Sequence, residues 1–132
     1  MVVLAQIFPS AQVAENAQLT SATGTAVSSA LVAGSSSGRR IREITVYSGG
    51  TIGPAPGTVL VLLLQAGTSI SPTPTPLIVA TAICPGGVDT LQASFTFAGL
   101  PLPTIYYNLR AQLRTPLASG ATLDLLFVGE DF

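Results

Sequence analysis

The side chains that could do chemistry in this 132-residue chain are few. There are six carboxylates (Glu15, Glu43, Asp89, Asp124, Glu130 and Asp131), five arginines (Arg39, Arg40, Arg42, Arg110 and Arg114), one cysteine and three tyrosines, with no histidine, lysine or tryptophan. Without histidine, the commonest general base and metal ligand is missing. A serine or cysteine nucleophile needs a base beside it, and only carboxylates remain for that role. A glycosidase needs two carboxylates flanking one sugar. Asp124, set between Leu123 and Leu125, lies on the polar side of an alternating run. The simpler expectation there is an ion pair with Arg110 or Arg114 of the preceding strand, worth about 1 kcal/mol at most. Glu130 and Asp131 could hold calcium only with carbonyl ligands added. The residue inventory points away from an enzyme and away from any metal or cofactor.

The remaining polar features are candidates for contact. Cys84 follows Ala80, Ala82 and Ile83, which suggests a buried thiol acting as a small hydrophobe. The segment Gly34-Ser35-Ser36-Ser37-Gly38 beside Arg39 and Arg40 offers backbone amides to an anion, but no helix follows it and a solvated hairpin is the plainer reading. Tyr106 precedes Tyr107, which takes the inward position of its run. Tyr106 is therefore expected outside, beside Asn108, Arg110 and Gln112, where its ring could stack on a sugar or fill an interface. Tyr47 is the second candidate for such a contact.

The elements that position these residues are strands. Side chains on a strand alternate between faces with period two. Residues 91–97 alternate without a slip, residues 105–114 place Ile105, Tyr107, Leu109, Ala111 and Leu113 on one face, and residues 123–127 begin a third run. Residues 39–48 change parity between Ile41 and Ile44, which predicts a bulge near Arg42 and Glu43. Residues 58–66 are apolar on both faces, as in a central strand, with half facing a core and half left for water or another subunit. Residues 77–84 read as a strand, and residues 85–89 as a turn. Residues 18–25 and 26–32, rich in alanine, serine and threonine, read as two weak strands around Gly24. Residues 10–16 suggest a helical turn or loop. The alternating prolines at residues 71–76 form a stiff extended loop. No stretch has the spacing of a capped amphipathic helix. The expectation is an all-β, antiparallel β-sandwich, jelly-roll-like, with about eight strands. It divides into an N-terminal arm or edge strand at residues 1–16 and a single sandwich domain at residues 17–132.

Charged residues make up 8% of the chain, where a soluble domain usually carries about 25%. A membrane helix needs roughly 20 apolar residues in a row, and residues 59–64 are far short of that. The start of the chain lacks the cationic region of a secretory signal. A net charge of −1 speaks against nucleic acid, whose binders cluster cations against phosphate. The reading left is a protein that covers apolar surface with copies of itself or with a partner, since interface cores are depleted in charge. Two stretches are apolar on both faces and are the expected contact surfaces: Val2, Leu4, Ile7 and Phe8 in the opening arm, and Leu60, Leu62 and Leu64 in the central strand.

The strand Arg39-Arg40-Ile41-Arg42-Glu43-Ile44-Thr45-Val46, the small-residue loop before Thr58-Val59-Leu60-Val61-Leu62, and the closing Leu117-Ala118-Ser119-Gly120-Ala121-Thr122-Leu123-Asp124-Leu125 together resemble the small β-sandwich virion proteins of tailed bacteriophages, in particular capsid decoration (cement) proteins. The resemblance is one of pattern over residues 39–127. It implies a non-catalytic virion protein that decorates and stabilises a phage capsid as a homotrimer. Its partners would be its own copies and the major capsid protein. Its place would be the capsid exterior, after synthesis in a bacterial cytoplasm that keeps the lone thiol reduced. The alternative is a glycan-binding module, either a tail or fibre domain or a lectin-like sandwich, using Tyr47 or Tyr106.

Overall fold

A computed structural model describes residues 11–65 and 75–132. The arm residues Val2, Leu4, Ile7 and Phe8, and most of the proline-alternating segment, lie outside the described residues. Eight strands follow in order: β1 (Ala11–Leu19), β2 (Val32–Ala33), β3 (Arg39–Gly50), β4 (Thr58–Gln65), β5 (Leu77–Cys84), β6 (Leu91–Leu102), β7 (Asn108–Leu113) and β8 (Ala121–Asp131). One 3-10 turn, Ser21–Thr23, is closed by reciprocal bonds between Thr20 and Thr23.

The strands form two antiparallel sheets, β1-β8-β3-β6 and β2-β7-β4-β5. Four of the pairings join a strand to its mirror in chain order: first with last, second with seventh, third with sixth, fourth with fifth. That is one long hairpin wound into two layers, an antiparallel β-sandwich of eight strands as the alternation leads one to expect. Between the layers lie Ile44, Val46, Leu123, Leu125 and Phe127 from one sheet and Leu60, Leu62, Leu109 and Leu113 from the other, all essentially without solvent contact. Full burial of each such side chain contributes roughly 1.5–3 kcal/mol. Cys84 belongs to the same core, and burial pushes its thiol pKa up. It is the inert hydrophobe that its neighbours suggest.

The parity change in β3 is a bulge, as its sequence requires. The register against both β6 and β8 slips between Ile41 and Glu43, so Ile41 and Ile44 both point inward and are fully buried. β6 runs further than its alternation, through Gly99 and Pro101 to Leu102. Pro101 is tolerated because β6 is the outer strand of its sheet, where a missing amide leaves no ladder bond open.

Four expectations are corrected. Residues 11–19 are one strand, paired at all nine positions with β8, and not a helical turn followed by a weak strand. Alanine, asparagine and glutamine have no strong preference of their own, so the ladder to β8 decides. Of residues 26–32 only Val32 is strand, although the amides of Ser28 and Leu31 still donate to the carbonyls of Ala111 and Leu109 in β7. Ile105 and Tyr106 stand before β7 in a turn closed by the Tyr107 amide on the Thr104 carbonyl, 3.2 Å, which leaves Ile105 exposed. Finally, Leu60 and Leu62 are not contact surface. They face the sandwich core at 0% exposure, and Leu64 packs against that core half-buried. The opposite face of β4 is closed as well: Val61 is at 0% and Leu63 at 6%. The strand is central, but the chain buries both of its faces itself.

This assignment has a direct test. Leu62→Ala should lower the unfolding free energy by about 2–5 kcal/mol, read from urea titrations. Gln112→Ala, at a half-buried residue opposite Val61 on the outward face of the same sheet, should cost about 1 kcal/mol or less. Equal losses at the two positions would reverse the inside and outside of this sheet.

Candidate functional site

Two places built on the β3–β8 ladder gather polar side chains. The first is its open end, where Arg39 lies opposite Asp131 and Arg40 opposite Glu130. Arg39 donates from Nε to Asp131 Oδ1 at 2.7 Å and from Nη2 to Oδ2 at 3.2 Å, and its Nη1 reaches Glu15 Oε1 at 2.8 Å and the Ala33 carbonyl at 2.9 Å. Arg40 donates through Nε and Nη2 to Glu130 Oε1 at 3.1 and 2.9 Å, and Arg42 Nε to Oε2 at 2.7 Å. Alternation puts Arg40 and Arg42 on one face ahead of the bulge, so both converge on Glu130. The Arg40 guanidinium also stands 4.9 Å over the Phe132 ring, a cation–π contact. Three arginines thus meet three carboxylates, joining β1, β3 and β8.

The electrostatics mark this cluster as a clasp. The hydrogen bonds from Arg39 hold Asp131 below the ordinary carboxylate range, and the same contact raises Arg39. Glu130 is nearly buried, at 4% exposure. Stripping one partner from a buried pair is costly because it strands a charge. With their charges matched, Arg39 and Arg40 do not form an anion cradle with the 34–38 loop, and Glu130 and Asp131 are already spent on arginine. Among the described residues no group of acids, cysteine and histidine could hold a metal ion.

The second place is an open groove of about 520 Å³ on the outward face of the β1-β8-β3-β6 sheet, lined by Asn16, Ala17, Gln18, Tyr47, Asp124, Leu125 and Leu126. Its layout follows from register. Asp124 is opposite Gln18 on one side and Tyr47 on the other, and Leu126 is opposite Asn16. Gln18 Nε2 donates to Asp124 Oδ1 at 2.7 Å. The expected partners of Asp124 are wrong: Arg110 instead bonds Asn108 Oδ1 at 2.9 Å. β7 and β8 are consecutive in the chain but belong to opposite sheets, so neither Arg110 nor Arg114 is a ladder neighbour of Asp124. Gly49 leaves room for the Asp124 carboxylate, since a Cβ there would stand 2.6 Å from Asp124 Oδ2 and 2.7 Å from Thr122 Oγ1.

The two tyrosine candidates do not share a site. Tyr47 is 47% exposed in the groove, at the end of the β3–β6 ladder where it pairs with Leu91. Tyr106, 45% exposed, sits beyond Leu102, which pairs with Arg39 at the other end. The sequence showed Tyr47 but not its neighbours. Asn16 and Gln18 lie in a strand whose pattern is weak, and they meet Leu126 and Asp124 across more than a hundred residues.

No protein-family model and no curated protein matches the chain. In fold it is similar to a chain of the acid-stable capsid structure of Helicobacter pylori bacteriophage KHP30, at 12% sequence identity and a TM-score of 0.59, over 93% of this chain and 90% of that one. The pattern-level resemblance to phage virion proteins thus has a structural counterpart. At that identity the likeness establishes a shared fold. Among the described residues no helix is long and apolar enough to cross a membrane.

The clasp carries a pH signature with a defined sign. Because the folded state lowers the pKa of Asp131, the stabilisation it supplies is fully present above its unfolded pKa and is lost as pH falls through the folded one. Urea titrations from about pH 7 down to about pH 2 should show a steeper acid-side loss for the parent than for Asp131→Asn, which starts lower at neutral pH. Parallel acid limbs would mean that this pair contributes nothing measurable.

Proposed function

We propose that this chain is a virion structural protein that sits on the exterior of a phage capsid as a homotrimer and stabilises the shell without catalysis. The observation that carries the proposal is the fold shared with the capsid-structure chain over nearly the whole of both molecules. The surface chemistry supports it. β5 is an outer strand of its sheet and exposes Leu77, Ile78 and Ile83 at 61, 58 and 71%. Proteins usually blunt such an edge with charge, most often lysine. This chain has no lysine, and an apolar strand edge left open invites another chain.

In this reading β5 meets a neighbouring copy, and the apolar arm with Val2, Leu4, Ile7 and Phe8 reaches a second copy or the major capsid protein. Synthesis takes place in the host bacterial cytoplasm, where Cys84 stays reduced. The function needs buried area between subunits and no reacting group, consistent with a set of titratable residues largely spent on internal ion pairs.

Light scattering at micromolar concentration should return three times the 13.4 kDa chain mass, and the protein should co-sediment with shells assembled from the major capsid protein alone. Ile83→Arg should dissociate the trimer while the far-ultraviolet spectrum stays unchanged. Removing residues 1–8 should weaken shell binding. A monomer in the parent protein, or full shell binding by both variants, would count decisively against this assignment.

A further inference from the structure

The groove around Tyr47 lies on the opposite sheet from β5 and is not used by the shell-binding reading. We propose that it is a carbohydrate site that takes a neutral sugar ring, stacked on Tyr47 and hydrogen-bonded by Asp124, Gln18 and Asn16. The proposal rests on the groove alone and does not require that the shell-binding reading hold.

A pyranose is amphiphilic. Its axial C–H bonds form an apolar patch and its equatorial hydroxyls form a rim of donors and acceptors. The groove has the matching halves. Tyr47 is flanked on one side by Leu91, which is 50% exposed and paired with it in the ladder, and Leu126 lies one rung along in the groove. An exposed ring with aliphatic neighbours suits the apolar patch of a sugar. Across the same rung stand Asp124 and Gln18, already joined at 2.7 Å through Asp124 Oδ1. That bond fixes the carboxylate and orients Gln18. A carboxylate can accept about four hydrogen bonds, and each amide offers both a donor and an acceptor. Adjacent strands are about 4.8 Å apart, so Gln18 and Tyr47, two strands apart, are separated by roughly 10 Å, enough for a ring to lie between ring and amide. The groove volume of about 520 Å³ exceeds one monosaccharide and leaves room for the next residue of a short glycan.

The same residues exclude other ligands. No arginine lines the groove, and Asp124 repels anions, so phosphorylated, sulfated and sialylated ligands are disfavoured. Purely apolar ligands would desolvate Asp124 without replacing its water, at a cost of several kcal/mol. A cation would find a single carboxylate already engaged by an amide. What satisfies ring, carboxylate and amides together is a neutral polyol with an apolar face.

The test uses the full-length protein on a glycan array carrying neutral, sialylated and sulfated oligosaccharides, followed by saturation-transfer NMR with the methyl pyranosides of the sugars retained. Neutral glycans should be retained over acidic ones. Tyr47→Ala should weaken binding about tenfold or more and Tyr47→Phe should keep it, with Asp124→Asn and Asn16→Ala intermediate. Tyr106→Ala should bind like the parent. All variants change exposed or half-exposed residues, and a melting temperature close to that of the parent certifies their fold. No retained neutral glycan, retention of acidic glycans only, or parent-level binding by Tyr47→Ala would overturn the proposal. So would a Tyr47→Ala protein that loses co-sedimentation with shells, which would make this face a protein contact.

Discussion

The antiparallel ladder between β3 and β8 is the constraint on which the rest of the molecule depends. It joins residues 39–50 to residues 121–131, so the last strand must be seated between the first and the third before the sheet exists. The largest core side chain, Phe127, is carried on it opposite Ile44, with Leu125 opposite Val46. Both polar sites are on the same ladder, the arginine clasp at one end and the Tyr47 groove near the other. Contacts of this sequence separation are slow to form, because loop-closure entropy is spent before packing returns it. A sandwich wound this way is held by its ends, and the clasp between Arg39, Arg40, Arg42 and the C-terminal acids sits at one of them.

That clasp also accounts for the surface. The chain has five cations and six carboxylates, and three of each are turned toward one another within the fold. A protein with ordinary charge could hold such a network and still cover its exterior with ions. Here the internal use leaves β5, Val88 and Ile105 as open apolar positions. The bulge in β3 is part of the same economy. By shifting parity after Arg42 it lets the strand place Arg40 and Arg42 on one face and still bury Ile41 and Ile44 on the other.

How much of this was legible in the sequence follows from how local each feature is. Alternation is local, so β6 and β8 could be read directly, and the parity change of β3 announced its bulge where it occurs, at Arg42. Inside and outside could be read where one face was polar, except at the start of β6, where the register shift opposite Tyr47 leaves Leu91 exposed and Gln92 buried. In β4 neither face is polar, so Leu60 and Leu62 gave no sign that they belong to the core. β1 was hidden for the opposite reason. Its inward positions are Val13, Glu15, Ala17 and Leu19, and the acid among them breaks the pattern. Glu15 is tolerated there because Arg39 of another strand meets it at 2.8 Å, a fact no local window contains. Strand order, the Asp124 partners and the groove all depend on pairings between residues far apart in the chain, and none of these has a local signature.

The two proposed contact surfaces lie on different sheets, the β5 edge on one and the Tyr47 groove on the outward face of the other. The groove also belongs to the better-anchored sheet, where β8 is paired on both sides along its length, so its geometry is set by backbone register and not by a loop. Tyr47, Asp124 and Gln18 occupy one rung of that ladder and cannot drift apart without breaking it. Preorganisation of this kind lowers the ordering cost of binding, and that matters most for a ligand such as a sugar, whose individual contacts are weak.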